Sequence, residues 1–538
     1  MIALLRRPLI AALVLTGVYV ALSFANDGHG SLGSDTGAKV ATLKVMKHEH
    51  RVSPDVGYWA ERWDRDGSLH PLYRTAHIKG HWVQVTTLPM LYAAYPLYRL
   101  GGYRLALLLP MAGAVAAALA GRALARRLGD GDGMLAFWIV GLASPIAIYA
   151  LDFWEHSIGV ALLAWAVVLL VDVARGERLW RAPVAGVLIG VAAALRTEAL
   201  VYGGVATAVM GLALLLARRR ARAFVAGACV AAGLATMVVG NAALETATVG
   251  STLRVGRATG AVVQTAEATG HSRVDEAIIT LASPIASVTR GAEAAALALL
   301  VALLAFAILT AKRREAGFPA RAAGAGVAAL FVGRLAGGLD FVPGLVAAAP
   351  LAAVGLVHGW STRPGRIAVG AVTAALPLVW AFQFQGGAGP QWGGRYILTT
   401  GLVLTVAGVV ALPLLVRWAR IEVVALSVAV TVLGLAWLSV RSHSVADAAQ
   451  ALDRRPEPVV VSRVAYLARE VGATYGDKRW LTAVTDADFK EAMTVLRRAG
   501  VDRFAEVRIM PPTGPGSGAT AVRFFPGLYL SVRSVAVS

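Results

Sequence analysis

The 538-residue chain has a single cysteine, Cys229, and it lies inside an apolar run. A disulfide framework and a cysteine metal site are thereby excluded. Charge is scarce too: 15% of residues are charged against 57% apolar, and the mean hydropathy is +0.64. That balance excludes an ordinary soluble globular protein. Asparagine is nearly absent and acids are outnumbered by bases, 32 against 51. Together with abundant Ala, Gly and Val, this is the usage of a GC-rich bacterial genome. A net charge of +19 would suggest nucleic acid in a soluble chain. Here the Arg residues lie mostly in short loops between apolar runs, where membrane topology places them, so no nucleic-acid partner is expected. No repeat of fixed period is present.

What the chain does have is a series of apolar runs that approach or reach the ~20 residues needed to cross a bilayer. Spans are predicted near 8–25, 103–121, 134–150, 158–173, 183–195, 199–217, 223–242, 294–311, 322–339, 342–358, 366–384, 396–415 and 421–440. These are about thirteen transmembrane helices, making a polytopic α-helical membrane protein. The N-terminal run carries a basic start like a signal peptide, but no A-x-A site follows, and it reads as an uncleaved first span. Arg6, Arg7, RALARR, ARGERLWR, ARRRAR, KRR, RPGR and RWAR fall on one side, which is the cytoplasm. DFWEHS, LRTE, Leu339–Asp340 and GPQWGGR fall on the other. The exoplasmic side also carries a first loop at 26–102, a second at 243–293 and a tail at 441–538. Residues 1–440 are thus a transmembrane module and 441–538 a small exoplasmic α/β domain. In the tail PVVVS, RWLTAV and RFAEVRIM read as strands. RVAYLAREVG and FKEAMTVLRRAG read as helices, the second capped by Asp486 or Asp488, and the alternation implies a small parallel sheet. The tail has no G-x-G-x-x-G and supports no nucleotide site.

Acids, imidazoles and aromatics concentrate on the exoplasmic side, so an active site would face outward. Asp35, in GSDTGAK, precedes a short amphipathic helix at 38–46; it is either that helix's N-cap or a general base near the membrane surface. KHEH lacks the spacing of a zinc helix and reads as a solvated loop. Trp59, Trp63 and Trp82 fit the headgroup level, where part of the first loop would lie. In DFWEHS, Glu155 and His156 stand at the start of a span. There they face the bundle or a wet cavity, beside helix N–H groups that attract an anion. In LRTEAL, Arg196 and Glu198 either pair with each other or leave Arg196 for a phosphate. In GPQWGGRYIL, Arg395 opens a span behind glycines that admit a ligand, and its planar fork suits phosphate. Gln391, Trp392 and Tyr396 are further pocket candidates; Trp392 would stack on a sugar or pack at the interface.

GSDTGAK, VTTLPMLYAAYPLYRLGG, GLASPIAIYALDFWEHS, LRTEAL and GPQWGGRYIL together resemble the GT-C glycosyltransferases. The bacterial members related to protein O-mannosyltransferases and aminoarabinose transferases are the most similar. The resemblance covers roughly 1–440, and its most specific motif is the last. It implies a GT-C-like fold in a bacterial cytoplasmic membrane, with the N-terminus cytoplasmic. It implies a polyprenyl-phosphate sugar donor, an acceptor hydroxyl on a glycan, lipid or protein, and direct transfer with inversion. Asp35 would be the base, and His156, Arg196 and Arg395 would hold the donor phosphate. A second acid beside Asp35 would come from Asp27, Glu49 or Asp55. No metal ligand set is identified, and a divalent cation is an open cofactor. Two alternatives share parts of this pattern. A secondary transporter would place its site at midspan, where Arg334 is the main ionisable residue. A lipid-linked glycan ligase or polymerase would share the outward site.

Overall fold

A computed structural model of the chain describes residues 7–31, 33–73, 75–84, 87–129, 131–253, 273–282, 290–312, 317–336, 343–382 and 392–511. It also describes 514, 516, 518–525 and 528–537. Predicted features at Leu339–Asp340, Gln391 and most of 254–289 lie outside these residues, as does the Arg334 side chain.

Among the described residues, seven helices are long and apolar enough to cross a membrane: Leu108–Leu128, His156–Arg175, Glu198–Leu216, Arg220–Val249, Arg363–Phe382, Arg395–Leu414 and Arg417–Asp453. Four shorter apolar helices accompany them: Pro8–Ser23, Arg181–Leu195, Ala294–Leu309 and Phe318–Gly333. Two predicted spans are broken. The run at 134–150 divides into Met134–Leu142 and Ile146–Tyr149 around Ser144–Pro145, and 342–358 divides into Leu345–Ala348 and Leu351–His358 around Pro350. Proline removes an intrahelical N–H and clashes with the preceding turn, so a purely apolar run still breaks there. Because lipid offers no hydrophobic gain between helices, contact depends on small residues that let backbones approach. A Cβ on Gly355 would sit 1.9 Å from the Leu404 carbonyl oxygen, and one on Gly408 2.1 Å from that of Leu351.

Helix His156–Arg175 fixes the vertical scale. Its 20 residues separate His156 from Arg175 by about 30 Å, the thickness of a hydrocarbon core. At the Arg175 end the basic loops converge. Arg127 and Arg181 both bind the Asp172 carboxylate, with 2.6 Å contacts from Arg127 Nε and Arg181 Nη1. The junctions that carry the polar motifs gather at the His156 end.

Outside the bundle, the first loop and the tail share one core. Val56, Tyr58, Leu69, Leu72 and Trp82 pack with Val459, Val461, Trp480, Leu496 and Phe504. Trp59 Nε1 donates to the Trp480 carbonyl at 2.9 Å, and the Thr482 N–H donates to that of Leu69 at 2.9 Å. Trp59 and Trp82 therefore serve this core instead of the headgroup level. Antiparallel β1 (Thr75–Ile78) and β2 (His81–Gln84) complete the loop. Helix Arg417–Asp453 runs unbroken past residue 440 into the tail. The tail sheet contains β3 (Val459–Ser462), β4 (Arg479–Thr482), β5 (Arg503–Ile509), β6 (Ala519–Phe525) and β7 (Leu528–Ala536), in the order β4-β3-β5-β7-β6. β3 is parallel to β4 and β5, whereas β7 is antiparallel to β5 and β6, so the sheet is mixed and not wholly parallel. The helix predicted at 463–472 is reduced to the turn Leu467–Glu470 and a 3-10 turn at Gly472–Thr474. Helix Asp486–Arg498 is capped by Thr485, with Asp488 completing the capping box.

His70 shows how this outer core responds to acid. Its ring stacks on Trp82 at 5.0 Å, and its Nδ1 accepts the Leu72 N–H at 3.2 Å. Burial pushes its pKa from 6.5 down to about 4. The unfolded chain therefore takes up a proton between these values that the folded chain refuses. Stability is complete above the unfolded pKa and falls as pH drops through the window, by roughly 2–3 kcal/mol. Asp55 acts in the same direction at lower pH: burial raises its pKa, but His81, the Gly57 and Trp82 N–H groups and Arg51 bring it below 3.8. A thermal melt followed by tryptophan fluorescence is expected to drop between pH 7 and pH 4.5. The drop should shrink in His70→Phe.

Candidate functional site

Asp35 does not cap its helix. Gly33 is the N-cap of Ser34–His48, with no side-chain cap, and Asp35 lies in the first turn. Its carboxylate is held by two guanidinium groups: Arg395 Nη1 donates to Oδ2 at 3.0 Å and Arg469 Nη2 to Oδ1 at 2.8 Å. Both arginines are nearly buried, whereas the Asp35 side chain is 37% exposed.

The backbone explains how Arg395 reaches this point. Gly393 and Gly394 have φ of 74° and 66°, in the left-handed region that glycine tolerates best. A Cβ on Gly393 would meet Pro145 Cγ at 2.6 Å, so the turn is seated on the helix break at Ser144–Pro145. From the following turn, Arg395–Ile397, Arg395 Nη2 donates to the Tyr396 hydroxyl at 2.9 Å. Trp392 serves the fold. Its ring packs 5.6 Å from Trp437, and its carbonyl accepts the Tyr149 hydroxyl at 2.8 Å. It therefore lies neither at the interface nor open to a sugar.

Arg196 approaches from the turn between Arg181–Leu195 and Glu198–Leu216. Nε donates to Glu198 Oε1 at 2.6 Å and Nη1 to His156 Nε2 at 2.7 Å, with Glu155 Oε1 3.8 Å from Nη1. The pairing of Arg196 with Glu198 thus forms and leaves Nη2 over. Both cations meet at one ring: the guanidinium carbons of Arg196 and Arg395 lie 5.1 and 4.7 Å from the Tyr396 centroid. Such a separation favours cation–π attraction and offsets part of the cost of bringing two charges together. His156 stacks on Tyr149 at 5.0 Å and lies 4.5 Å from the Trp154 ring. A cavity runs between His156, Arg196, Glu198, Arg395, Tyr396 and Thr399. Arg196 Nη2, Arg395 Nε and Trp154 Nε1 are buried donors without a hydrogen-bond partner. Unmet donors of this kind are costly, and an anion would satisfy them.

Four site residues escaped the sequence reading. Lys39, fully buried one turn after Asp35, pairs with Glu155. Burial alone would raise the Glu155 pKa, but Lys39 and then Arg196 bring it below the usual carboxylate value. Asp152 accepts from the Thr36 hydroxyl at 2.5 Å and from the Tyr103 hydroxyl at 3.2 Å. Asp152 and Trp154 stand in a motif that was singled out, whereas Lys39 and Arg469 had no local signal. Asp27 and Asp55 are engaged with His29 and His81, and Glu49 with Arg51. Asp27, Glu49 and Asp55 are therefore each paired elsewhere. With both Asp35 oxygens on guanidinium groups, this arrangement does not fit a divalent cation at Asp35. Among the described residues, Asp64, Asp66 and Glu491 bring carboxylate oxygens within 4.8 Å of one another on the outer domain. There Asp64 is already engaged by Tyr58, Ser68 and the Leu69 N–H.

No family model and no curated protein matches the chain. Among solved structures it is similar to the archaeal oligosaccharyltransferase AglB from Archaeoglobus fulgidus, in complex with an inhibitory peptide and a dolichol-phosphate. The TM-score is 0.49 at 12% identity, over 92% of this chain and 69% of that one. It is also similar to ArnT from Cupriavidus metallidurans bound to undecaprenyl phosphate, with a TM-score of 0.41 at 12% identity over 97% of each chain. A third similarity is to the arabinosyltransferase EmbB from Mycobacterium smegmatis, with a TM-score of 0.34 at 16% identity over 79% of this chain and 41% of that one.

Proposed function

We propose that the protein is a membrane glycosyltransferase that moves a sugar from a polyprenyl-phosphate donor to an acceptor hydroxyl on the exoplasmic face of a bacterial cytoplasmic membrane. One observation carries this reading. A carboxylate, Asp35, lies 3.0 Å from Arg395, and Arg395 and Arg196 line one cavity, each with a buried donor that has no partner. A base and an anion site are thus adjacent, as transfer from a phosphate leaving group requires. Asp35 accepts the proton of the acceptor hydroxyl. The acceptor oxygen attacks the anomeric carbon from the side opposite the phosphate, and the bond from that carbon to the phosphate oxygen breaks with inversion. Its electron pair leaves on polyprenyl phosphate, where Arg395 and Arg196 stabilise the developing charge. His156 holds Arg196 in place and supplies the start of helix His156–Arg175 beside the phosphate.

The reading is tested by giving full-length protein in nanodiscs a panel of synthetic polyprenyl-phosphate hexoses and pentoses. Bacterial envelope fractions serve as acceptor, and released polyprenyl phosphate is measured. Protein-dependent release is expected with at least one donor. Failure of the protein to bind polyprenyl phosphate at all would overturn the reading. Topology gives a separate check: reporters fused at Arg220 and Ser444 are expected on opposite sides of the membrane, the first inside.

A further inference from the structure

We infer that the C-terminal domain supplies a positioning residue to the active site: Arg469 holds the Asp35 carboxylate while Arg395 turns to the donor phosphate. This rests on the function proposed above and assigns the tail domain a part in it. Asp35 has two guanidinium partners of unlike surroundings. Arg395 borders the cavity and keeps a buried Nε without a partner, so an arriving phosphate finds it directly. Arg469 comes from the other side, in the turn Leu467–Glu470, and does not line that cavity. When the phosphate draws on Arg395, Arg469 remains to orient the base and keep it ionised.

The junction that sets this contact is built backbone to backbone. A Cβ on Gly37 would fall 1.7 Å from the Arg469 carbonyl oxygen, and one on Gly472 2.0 Å from that of Gly37. Lys44 Nζ donates to the Ala473 carbonyl at 2.7 Å, and Ser31 Oγ to that of Glu470 at 3.4 Å. The helix that carries Asp35 and the turn that carries Arg469 therefore move as one body, although the two residues are 434 positions apart. Gly37 and Gly472 leave no room for a side chain, so the backbone spacing across which Arg469 reaches Asp35 is set by the fold.

The charged and titratable groups around the base include Arg395 and Tyr396 from the glycine turn, Arg469 and Glu470 from the tail, and Asp152 from the junction bound to Thr36. Glu470 is itself engaged by Arg441 at 3.4 Å. Removing Arg469 therefore takes from Asp35 a cation 2.8 Å away that does not line the donor cavity.

The test uses full-length protein in nanodiscs with the donor that is turned over in the panel above. Arg469→Gln is expected to lower kcat roughly 10–100-fold, to leave polyprenyl-phosphate affinity within about twofold because Arg469 does not reach the cavity, and to move the acid limb of the pH–rate profile upward. Arg469→Lys, which keeps the charge, is expected to return that limb toward wild type. Where Arg469→Gln fails to fold, Arg469→Met, which keeps the length without the charge, takes its place. An unmoved limb in both variants, or a lost donor affinity with unchanged kcat, would overturn the inference. Asp35→Asn run alongside separates the two levels: retained transfer there removes the base assignment itself, whereas an inactive Asp35→Asn beside an unaffected Arg469→Gln removes only the role of Arg469.

Discussion

Asp35→Asn is expected to abolish glycosyl transfer while the protein still folds, inserts and binds polyprenyl phosphate. The substitution keeps the size of the side chain and one hydrogen-bond acceptor, so Arg469 or Arg395 retains a contact. What disappears is the negative charge that takes the acceptor's proton in the proposed mechanism. General-base catalysis contributes roughly 10²–10⁴ in rate, and a loss of that size is the expected result. Stability is expected to fall as well, because two nearly buried arginines then face a neutral partner. Stranding one partner of a buried pair costs about 3–5 kcal/mol. Here the 37% exposure of the Asp35 side chain lets water share the load, and a smaller loss follows. Donor binding is the discriminating measurement. Arg395 is relieved of its competing carboxylate, so affinity should be unchanged or tighter. Transfer that persists in Asp35→Asn would mean that Asp35 is a structural anchor for two arginines and that another group takes the proton.

The polar junctions were legible because charge inside a membrane chain is expensive, so the few acids, imidazoles and guanidinium groups at span ends stand out. Asp35, Glu155, His156, Arg196, Glu198, Arg395 and Tyr396 were named on that basis, and all lie at one end of the bundle. Their pairings were not legible. Nothing local in GPQWGGRYIL says that Arg395 meets Asp35 and not Glu155 or Glu198, because the pairing depends on how the Gly393–Gly394 turn seats on Pro145. Arg469 was beyond reach altogether. Its turn reads as an ordinary amphipathic helix, and its close approach to Gly37 involves a segment more than four hundred residues away. Trp392 misled for a related reason. Tryptophan near a span end is a fair interface residue, but the space opened by Gly434, whose Cβ would meet the Trp392 ring at 2.7 Å, draws it inward. The broken spans show the limit of hydropathy. It measures whether a run can be buried, and Pro145 and Pro350 decide whether it can stay helical. The start of β7 could have been found: in LYLSVR, Leu528, Leu530 and Val532 alternate with Tyr529, Ser531 and Arg533.

The largest effect on donor binding is expected at Arg395. In the unliganded arrangement its guanidinium already has Asp35 at 3.0 Å and the Tyr396 hydroxyl at 2.9 Å, with the ring of Tyr396 beneath it. These contacts hold the guanidinium at the border of the cavity, and its Nε is a buried donor without a partner, so little side-chain freedom is lost when a phosphate arrives. A charge-assisted hydrogen bond of this kind is worth about 1.5–3 kcal/mol, or roughly 10–150-fold in affinity. Arg395→Ala should weaken polyprenyl-phosphate binding by that factor. It should also lower transfer further, since the phosphate gains charge as it leaves. Arg395→Lys keeps a cation but loses the planar fork that can place two N–H groups on phosphate oxygens, so it should fall between wild type and alanine. The measurement is equilibrium binding of a synthetic polyprenyl phosphate to each variant in nanodiscs, with circular dichroism and a thermal melt to verify the fold. Arg196→Ala should weaken the same binding and, unlike Arg395→Ala, strand Glu198 and His156, so its melt should drop more. Undiminished affinity in folded Arg395→Ala would move the anion site away from the glycine turn and leave Arg395 as the partner of Asp35 alone.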